Sequence, residues 1–438
     1  MCYPGDMAPR AGLPREPASP GAAELPEQCF RREAPRMVAA LTRIFGVHNL
    51  ALAQDVVQDA FCRALEVWKL RGVPDNPAAW LMTTAKHRAL DIVRRQRTAH
   101  SFAPELGRLL DSEWTLAPLV DEAFAAPTIR DEQLRMMFSC CHPRLPEEAQ
   151  LALVLNILCG FPAAEIASAL LTGRAAIEKR ISRGKKALAS ATRLFDLRDA
   201  EFAPRLATVQ RALYLLFNEG YHGASPEAAV RAELCDEAMR LTALLREHPP
   251  AATPATCALA ALMALHAARL PARLDAAGEL SLVVDQDRSR WDAGLVAEGL
   301  ALLERSATGA ELTAYHVEAA IAAVHAAAAT LDDTDWTAIV ALYDQLMALA
   351  PSPVVALSRA VAIGQRDGAA RGLEELHAIA DRDRLAGYPF YPAALGELEL
   401  RRGDRDAARR YFEAALGLAR NDAERRFLDR RLQHCAGA

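Results

Sequence analysis

From residue 29 onward the apolar positions recur every three to four residues and never alternate in twos, so the pattern predicts helices throughout and no strands. Phe30, Met37, Leu41, Ile44 and Phe45 mark a first helix, which Gly46 ends. Val56, Val57, Ala60, Leu65 and Trp68 mark a second, with Asp55, Gln58, Asp59 and Arg63 on its opposite side. Asn76 as a cap and Pro77 in the first turn open a third helix. Its packing side holds Leu81, Met82, Ala85, Ala89, Ile92 and Val93, and its polar side Thr83, Thr84, His87, Asp91, Arg94 and Arg95. Periodicity lapses at residue 98 and returns near residue 131, with Leu134, Met137 and Phe138 as the next core positions. A helix over 149–158 then stops at Gly160, a short helix covers 163–170, Leu171, Thr172 and Gly173 turn, and a basic helix runs from 174 to about 193. That order is a helix-turn-helix layout. In its last helix Ile177, Ile181, Gly184 and Leu188 line up for packing, while Ala175, Glu178, Lys179, Ser182, Arg183 and Lys186 point the other way.

Length and charge refine this picture. A chain of 438 residues holds two or three domains. Six prolines and no apolar run among residues 1–28 predict a disordered tail. No stretch of about 18 apolar residues exists, so no membrane segment is expected. Nine scattered cysteines, an odd number, point to a reducing cytoplasm. Cys140, Cys141 and His142 are adjacent and lack a second ligand pair, so they predict helix-end packing and no metal site. Residues 1–199 carry 26 Lys+Arg against 23 Asp+Glu, and residues 200–438 carry 25 against 33. A basic-leaning half joined to an acidic one suits nucleic-acid contact by the first and protein contact, or masking, by the second.

The stretch 55–97 carries a specific resemblance. Ala53, Asp55, Val56, Val57, Gln58, Asp59 and Phe61, then Pro74, Asn76, Pro77, Trp80 and Leu81, then Asp91, Ile92, Val93, Arg94 and Arg95 form one ordered set of turn, cap, core and charged positions. It resembles region 2 of bacterial extracytoplasmic function (ECF) RNA polymerase sigma factors, and Gln54 departs from the glutamate common there. The resemblance implies contact of Asp55, Gln58 and Asp59 with core RNA polymerase. It also implies capture of the unpaired minus-10 strand by the loop and helix carrying Lys69, Arg71, Asn76, Trp80, Lys86, His87, Arg88, Asp91, Arg94, Arg95 and Arg97. Trp80 is expected as a buried anchor, with base stacking the alternative. The helix-turn-helix resembles region 4, in which Glu165, Ile166 and Ala167 match the family's E-I-A. Arg174, Ala175, Glu178, Lys179, Ser182, Arg183 and Lys186 would then face the minus-35 duplex.

Beyond residue 199 the anchors Thr334, Gly368 and Gly403 are spaced by 34 and 35 residues, the tetratricopeptide period, and 395–418 fits that consensus well. Such repeats offer a surface for a regulatory protein, with a plain spacer as the alternative. Two polar-aromatic clusters lie between, and resemble the ECF subgroup with a long C-terminal extension. Asn218, Glu219, Tyr221, Asp285, Asp287, Arg288 and Trp291 form a candidate regulatory cluster, a ligand pocket or an interdomain lock, with Arg288 expected in an ion pair with nearby carboxylates.

The expected organisation is therefore all-α: tail 1–28, region 2 over 29–97, linker 98–130, region 4 over 131–195, helical extension 200–330 and repeats 331–438. No nucleophile, base and oxyanion arrangement is visible, so no catalytic residues and no cofactor are expected. The expected partners are core RNA polymerase, promoter DNA and a regulatory protein, in the cytoplasm and without a membrane. The alternative is a polymerase-independent helix-turn-helix regulator with a repeat-based sensor.

Overall fold

The computed structural model describes residues 24–45, 49–95, 126–170, 172–189, 202–223, 230–275 and 279–436. Those residues form 19 α-helices and no strand, the nearest to sheet being one antiparallel bridge between Leu274 and Leu280. Gly46, Arg97, linker residues 98–125 and residues 190–195 lie outside them, while residues 126–130, expected as linker, are already helical.

Three helices build the N-terminal unit: α1 (Glu24–Phe45), α2 (Leu50–Arg71) and α3 (Pro77–Arg95). α1 starts inside the stretch expected as tail, because Pro26 falls in its first turn, where no amide hydrogen bond is lost. Met37, Leu41, Ile44 and Phe45 of α1 are buried against Val56, Val57, Ala60 and Trp68 of α2 and Leu81, Ala85 and Ala89 of α3. Two pattern assignments change: Leu65 is 54% exposed, and Leu90, left off the packing side, is buried. Leu65 falls at the edge of the α2 stripe, beyond the reach of α1 and α3.

The second unit contains α4 (Ala126–Cys140), α5 (Glu147–Ile157), α6 (Ala163–Ala169) and α7 (Arg174–Ala189). Leu134, Met137 and Phe138 are core residues, as their spacing predicts. Gly184 touches Leu153 so closely that a Cβ would lie 2.6 Å from Leu153 Cδ1, which sets the approach of α7 to α5. Cys140 and Cys141 end α4 fully buried, and burial pushes the Cys140 thiol up to about 12.

The extension follows as α8 (Ala203–His222), α9 (Ala232–Glu247), α10 (Pro254–Ala267), the short α11 (Leu270–Arg273), α12 (Ala293–Ser306), α13 (Ala314–Ala327), α14 (Trp336–Leu349), α15 (Pro353–Arg366), α16 (Ala369–His377), α17 (Phe390–Arg402), α18 (Arg405–Gly417) and α19 (Asp422–Ala436). α10 is apolar on every side because α8, α9, α12 and α13 surround it. From α12 onward each helix packs antiparallel-fashion on its neighbours in sequence, with small successive cores. Three anchors of the sequence period open helices: Asp335 caps α14, Gly368 at φ +96° precedes α16, and Asp404 caps α18. Gly396 lets α17 meet α18, since a Cβ there would sit 2.9 Å from the Phe412 ring.

Two long-range features organise the molecule. The core of the N-terminal unit, of the second unit and of α8 to α10 is continuous, with α4 packed on α1 and α8 on α5. The last helix returns to the start of the extension: Asn421 Nδ2 donates to Gly223 O at 3.4 Å, Arg426 Nε to Glu279 Oε1 at 2.6 Å, and Arg430 Nη1 to Asp275 Oδ2 at 3.3 Å. The extension is thereby a closed ring.

Candidate nucleic-acid interface

The turn between α2 and α3 is fixed by local chemistry. Gly72 ends α2 at φ +81°, a conformation that side chains with a Cβ resist, and its N–H donates to Trp68 O at 2.9 Å. Asn76 Oδ1 accepts from Ala79 N at 3.0 Å and so caps α3, as the sequence predicts. Trp80 is half-buried, edge-on to Trp68 with ring centroids 5.6 Å apart, an anchoring arrangement. Thr83 and Thr84 hydroxyls donate to the α3 carbonyls of Ala79 and Trp80, so they do not serve as outward donors.

Around this turn Trp80 and Lys86 are half-buried, and the other expected contact residues whose side chains are described are exposed. Lys69, Arg71, His87 and Asp91 face solvent, and Lys69 and Arg71 make no ion pair among the described residues. Asp55, Gln58 and Asp59 share one exposed face of α2. Asp59 also accepts from Arg88 Nε at 3.2 Å, which joins the α2 acidic face to the α3 basic one. The Arg94 and Arg95 side chains and Arg97 lie outside the described residues.

α7 sorts its cations cleanly. Ile177, Ile181, Gly184 and Leu188 are buried, as their spacing requires. Arg180 pairs with Glu148, and Lys185 Nζ donates to Gln54 Oε1 of α2 at 3.0 Å. Lys179, Arg183 and Lys186 are exposed and make no ion pair among the described residues. Arg174 pairs with Glu178 at 2.7 Å on the same face, beside exposed Ala175 and Ser182. Three uncompensated cations on one helix face form a cationic track sized for a DNA groove.

Behind that face the extension grips the helix-turn-helix. Arg231, 6% exposed, donates to Glu165 Oε2 on α6 at 2.8 Å and to Glu219 Oε1 on α8 at 2.6 Å. Gly220 makes room for this junction, since a Cβ there would lie 2.8 Å from Arg231 O. Arg205 Nη1 adds a bond to Phe138 O at 3.0 Å, at the end of α4.

The candidate regulatory cluster divides. Glu219 faces Arg231, Asn218 is half-buried on α8, and Asp285 and Asp287 are exposed. Tyr221, Arg288 and Trp291 do converge, through two residues that the sequence reading passed over, Arg269 and Arg273. Arg273 lies 4.6 Å and Arg269 6.0 Å from the Tyr221 ring centroid, and Arg269 and Arg288 each lie 5.3 Å from that of Trp291. The expected Arg288 ion pair is absent among the described residues. Arg288 donates instead to His325 O, Ala328 O and Thr334 Oγ1 at 2.8–2.9 Å, at the carbonyl end of α13. Neither Arg269 nor Arg273 has a carboxylate partner among the described residues either. The period-four spacing of the two arginines was the available signal.

Comparison with known proteins matches three segments of the chain. A model described as Sigma-70 region 2 matches residues 29–99, one described as Sigma-70, region 4 matches 135–188, and a Family of unknown function (DUF6596) matches 205–307. An uncharacterized protein of Rhizobium meliloti (strain 1021) is 40% identical over 405 residues, 92% of this chain and 94% of that protein. RNA polymerase sigma factor CarQ of Myxococcus xanthus is 32% identical over 171 residues, 38% of this chain and 89% of that protein. No solved structure matches.

Proposed function

The chain belongs to the sigma-70 family, as an ECF-type factor with a long C-terminal extension, and from that premise we propose that it directs core RNA polymerase to particular promoters under control of the extension. Region 2 takes Asp55, Gln58 and Asp59 to the polymerase, while the Lys69–Asn76 turn and α3 hold the melted minus-10 strand. Region 4 presents Lys179, Arg183 and Lys186 to the minus-35 duplex. Opening is strand capture, with no bond made or broken by this chain.

The observation that carries the regulatory part is the shared core. Lys185 on the DNA-reading helix bonds to Gln54 of region 2, and Arg231 ties Glu165 of region 4 to α8. Two domains held in one globule cannot lie on two separated promoter elements, so the closed form is the resting one, and initiation requires region 4 to part from region 2. The acidic excess of residues 200–438 fits that holding role. The stacked helices from α12 to α19, with their tetratricopeptide-like spacing, offer the surface for a regulatory protein.

The test is run-off transcription with purified core polymerase. Full-length protein and residues 24–199 are compared on the promoter of a gene under its control. Promoter-directed transcript changes at least threefold on removal of 200–438 if the extension regulates; an unchanged yield ends that part, and failure of the full chain to bind core polymerase ends the whole.

A further inference from the structure

Closure of the ring by α19 leaves a cavity of about 320 Å³ inside the extension. This is the lower end of the range of small-molecule pockets, roughly 300–1,000 Å³. Its walls are mainly apolar, with Leu282, Val361, Phe390, Ala394, Phe412 and Phe427 among them. The charged groups on those walls are not equivalent. Glu397 is bound by Arg401 and Arg431, and Glu424 accepts from Arg420 Nη2 at 2.6 Å. Arg273 is different.

Its Nη2 donates to Tyr221 O at 3.1 Å and lies 3.3 Å from His222 Nδ1. Its Nε is buried without an acceptor, and no carboxylate meets it among the described residues. Arg269, which does not line the cavity, shares the Tyr221 ring with it and also lacks a carboxylate partner among the described residues, so no acidic group there offsets Arg273. His222 lies exposed on the same wall. A half-buried cation without a counter-ion is costly, and an anion arriving from solvent reduces that cost.

We propose that this cavity binds a small amphiphile, a hydrocarbon body against the apolar walls with one carboxylate seated on Arg273. The ligand occupies the seam between α8, α11 and the returning α17 to α19, so it stabilises the closed ring. The site goes beyond the initiation role and does not depend on it.

Isothermal titration of the full chain with decanoate tests the assignment, with 1-decanol supplying the same tail without the charge. One decanoate binds per chain, and 1-decanol binds at least tenfold more weakly. Arg273→Gln weakens decanoate at least tenfold and brings the two probes level, while Ala394→Phe fills the cavity and removes both. Equal binding of the two probes to the unaltered chain, an unchanged affinity in Arg273→Gln, or no decanoate binding overturns the proposal. Circular dichroism melting establishes that each variant folds; if neither does, the unaltered chain decides, its melting temperature rising with decanoate and not with acetate, and no rise overturns the site. No polymerase or DNA is present, so failure here leaves the sigma-factor reading standing, and an unregulated truncation leaves this site standing.

Discussion

Arg231 is the residue on which the junction between region 4 and the extension turns. With one buried guanidinium serving Glu219, 7% exposed, and Glu165, 20% exposed, truncation takes a charge partner from both. Arg231→Met should cost about 3 kcal/mol in urea unfolding, since breaking a buried pair from one side typically costs 3–5 kcal/mol. Adding Glu219→Gln should restore part of it. At Gly396 the argument is steric: a methyl would meet the Phe412 ring at 2.9 Å, so Gly396→Ala should lose roughly 1–3 kcal/mol, read from the same unfolding curves. Single residues were legible in sequence where one helix sets their surroundings. Ile177, Ile181 and Leu188 were placed correctly because a 100° step determines which side they occupy. Arg288 was not, because its acceptors are the carbonyls of His325 and Ala328, 37 and 40 residues away, and main-chain acceptors leave no mark in composition.

At the scale of elements, α7 is the proposed DNA reader, and its strength should follow its unpaired cations. Arg183→Glu and Lys179→Glu should each lower minus-35-dependent run-off transcription at least tenfold. Arg183→Ala should reduce the salt slope of promoter binding by about 0.9, the value for one lost phosphate contact. Lys185→Ala should not weaken minus-35 contact, because that amine faces Gln54. The helices around α10 make a different prediction, in pH. Burial pushes the Glu318 carboxyl, which accepts from Tyr214 Oη at 2.9 Å, up to about 7. The native state then keeps a proton that the unfolded chain has released, so stability falls as pH rises from about 4.5 to 7. Glu318→Gln should therefore stabilise by about 2 kcal/mol near pH 8, with the gain vanishing near pH 4.5. Burial, with Arg269 next, holds His266 down to about 3 and His325 to about 4. Here the unfolded chain takes up protons first, and stability drops as pH falls below the ordinary histidine range, near 6.5. The two trends oppose each other, and urea midpoints from about pH 5 to 8 for both Glu318→Gln and His325→Gln separate them. The four neighbours around α10 were not legible in the sequence, since which helices surround a fully apolar one depends on chain reversals that periodicity does not encode.

Over the whole molecule, the region 2 turn and the helix-turn-helix were legible because each is built from contacts a few residues apart. The ring was not: its clasp joins Asn421 to Gly223 across ten intervening α-helices and Arg426 to Glu279 across seven, and these ordinary residue types carry no mark of such a distant pairing. Reversing the clasp charge with Arg426→Glu should speed limited trypsin cleavage of α19, and adding Glu279→Arg should slow it again. The clasp also has a consequence in time. Region 4 is complete at α7, whereas the helix that shuts the ring lies almost 250 residues further along. At roughly 5–20 residues per second of synthesis, a nascent chain exposes finished promoter-reading domains for about 10–50 s before the ring can close behind them. On the regulatory reading proposed above, that is an interval in which the sigma domains are made and the extension is incomplete, and output should track the rate of translation as well as the amount of protein.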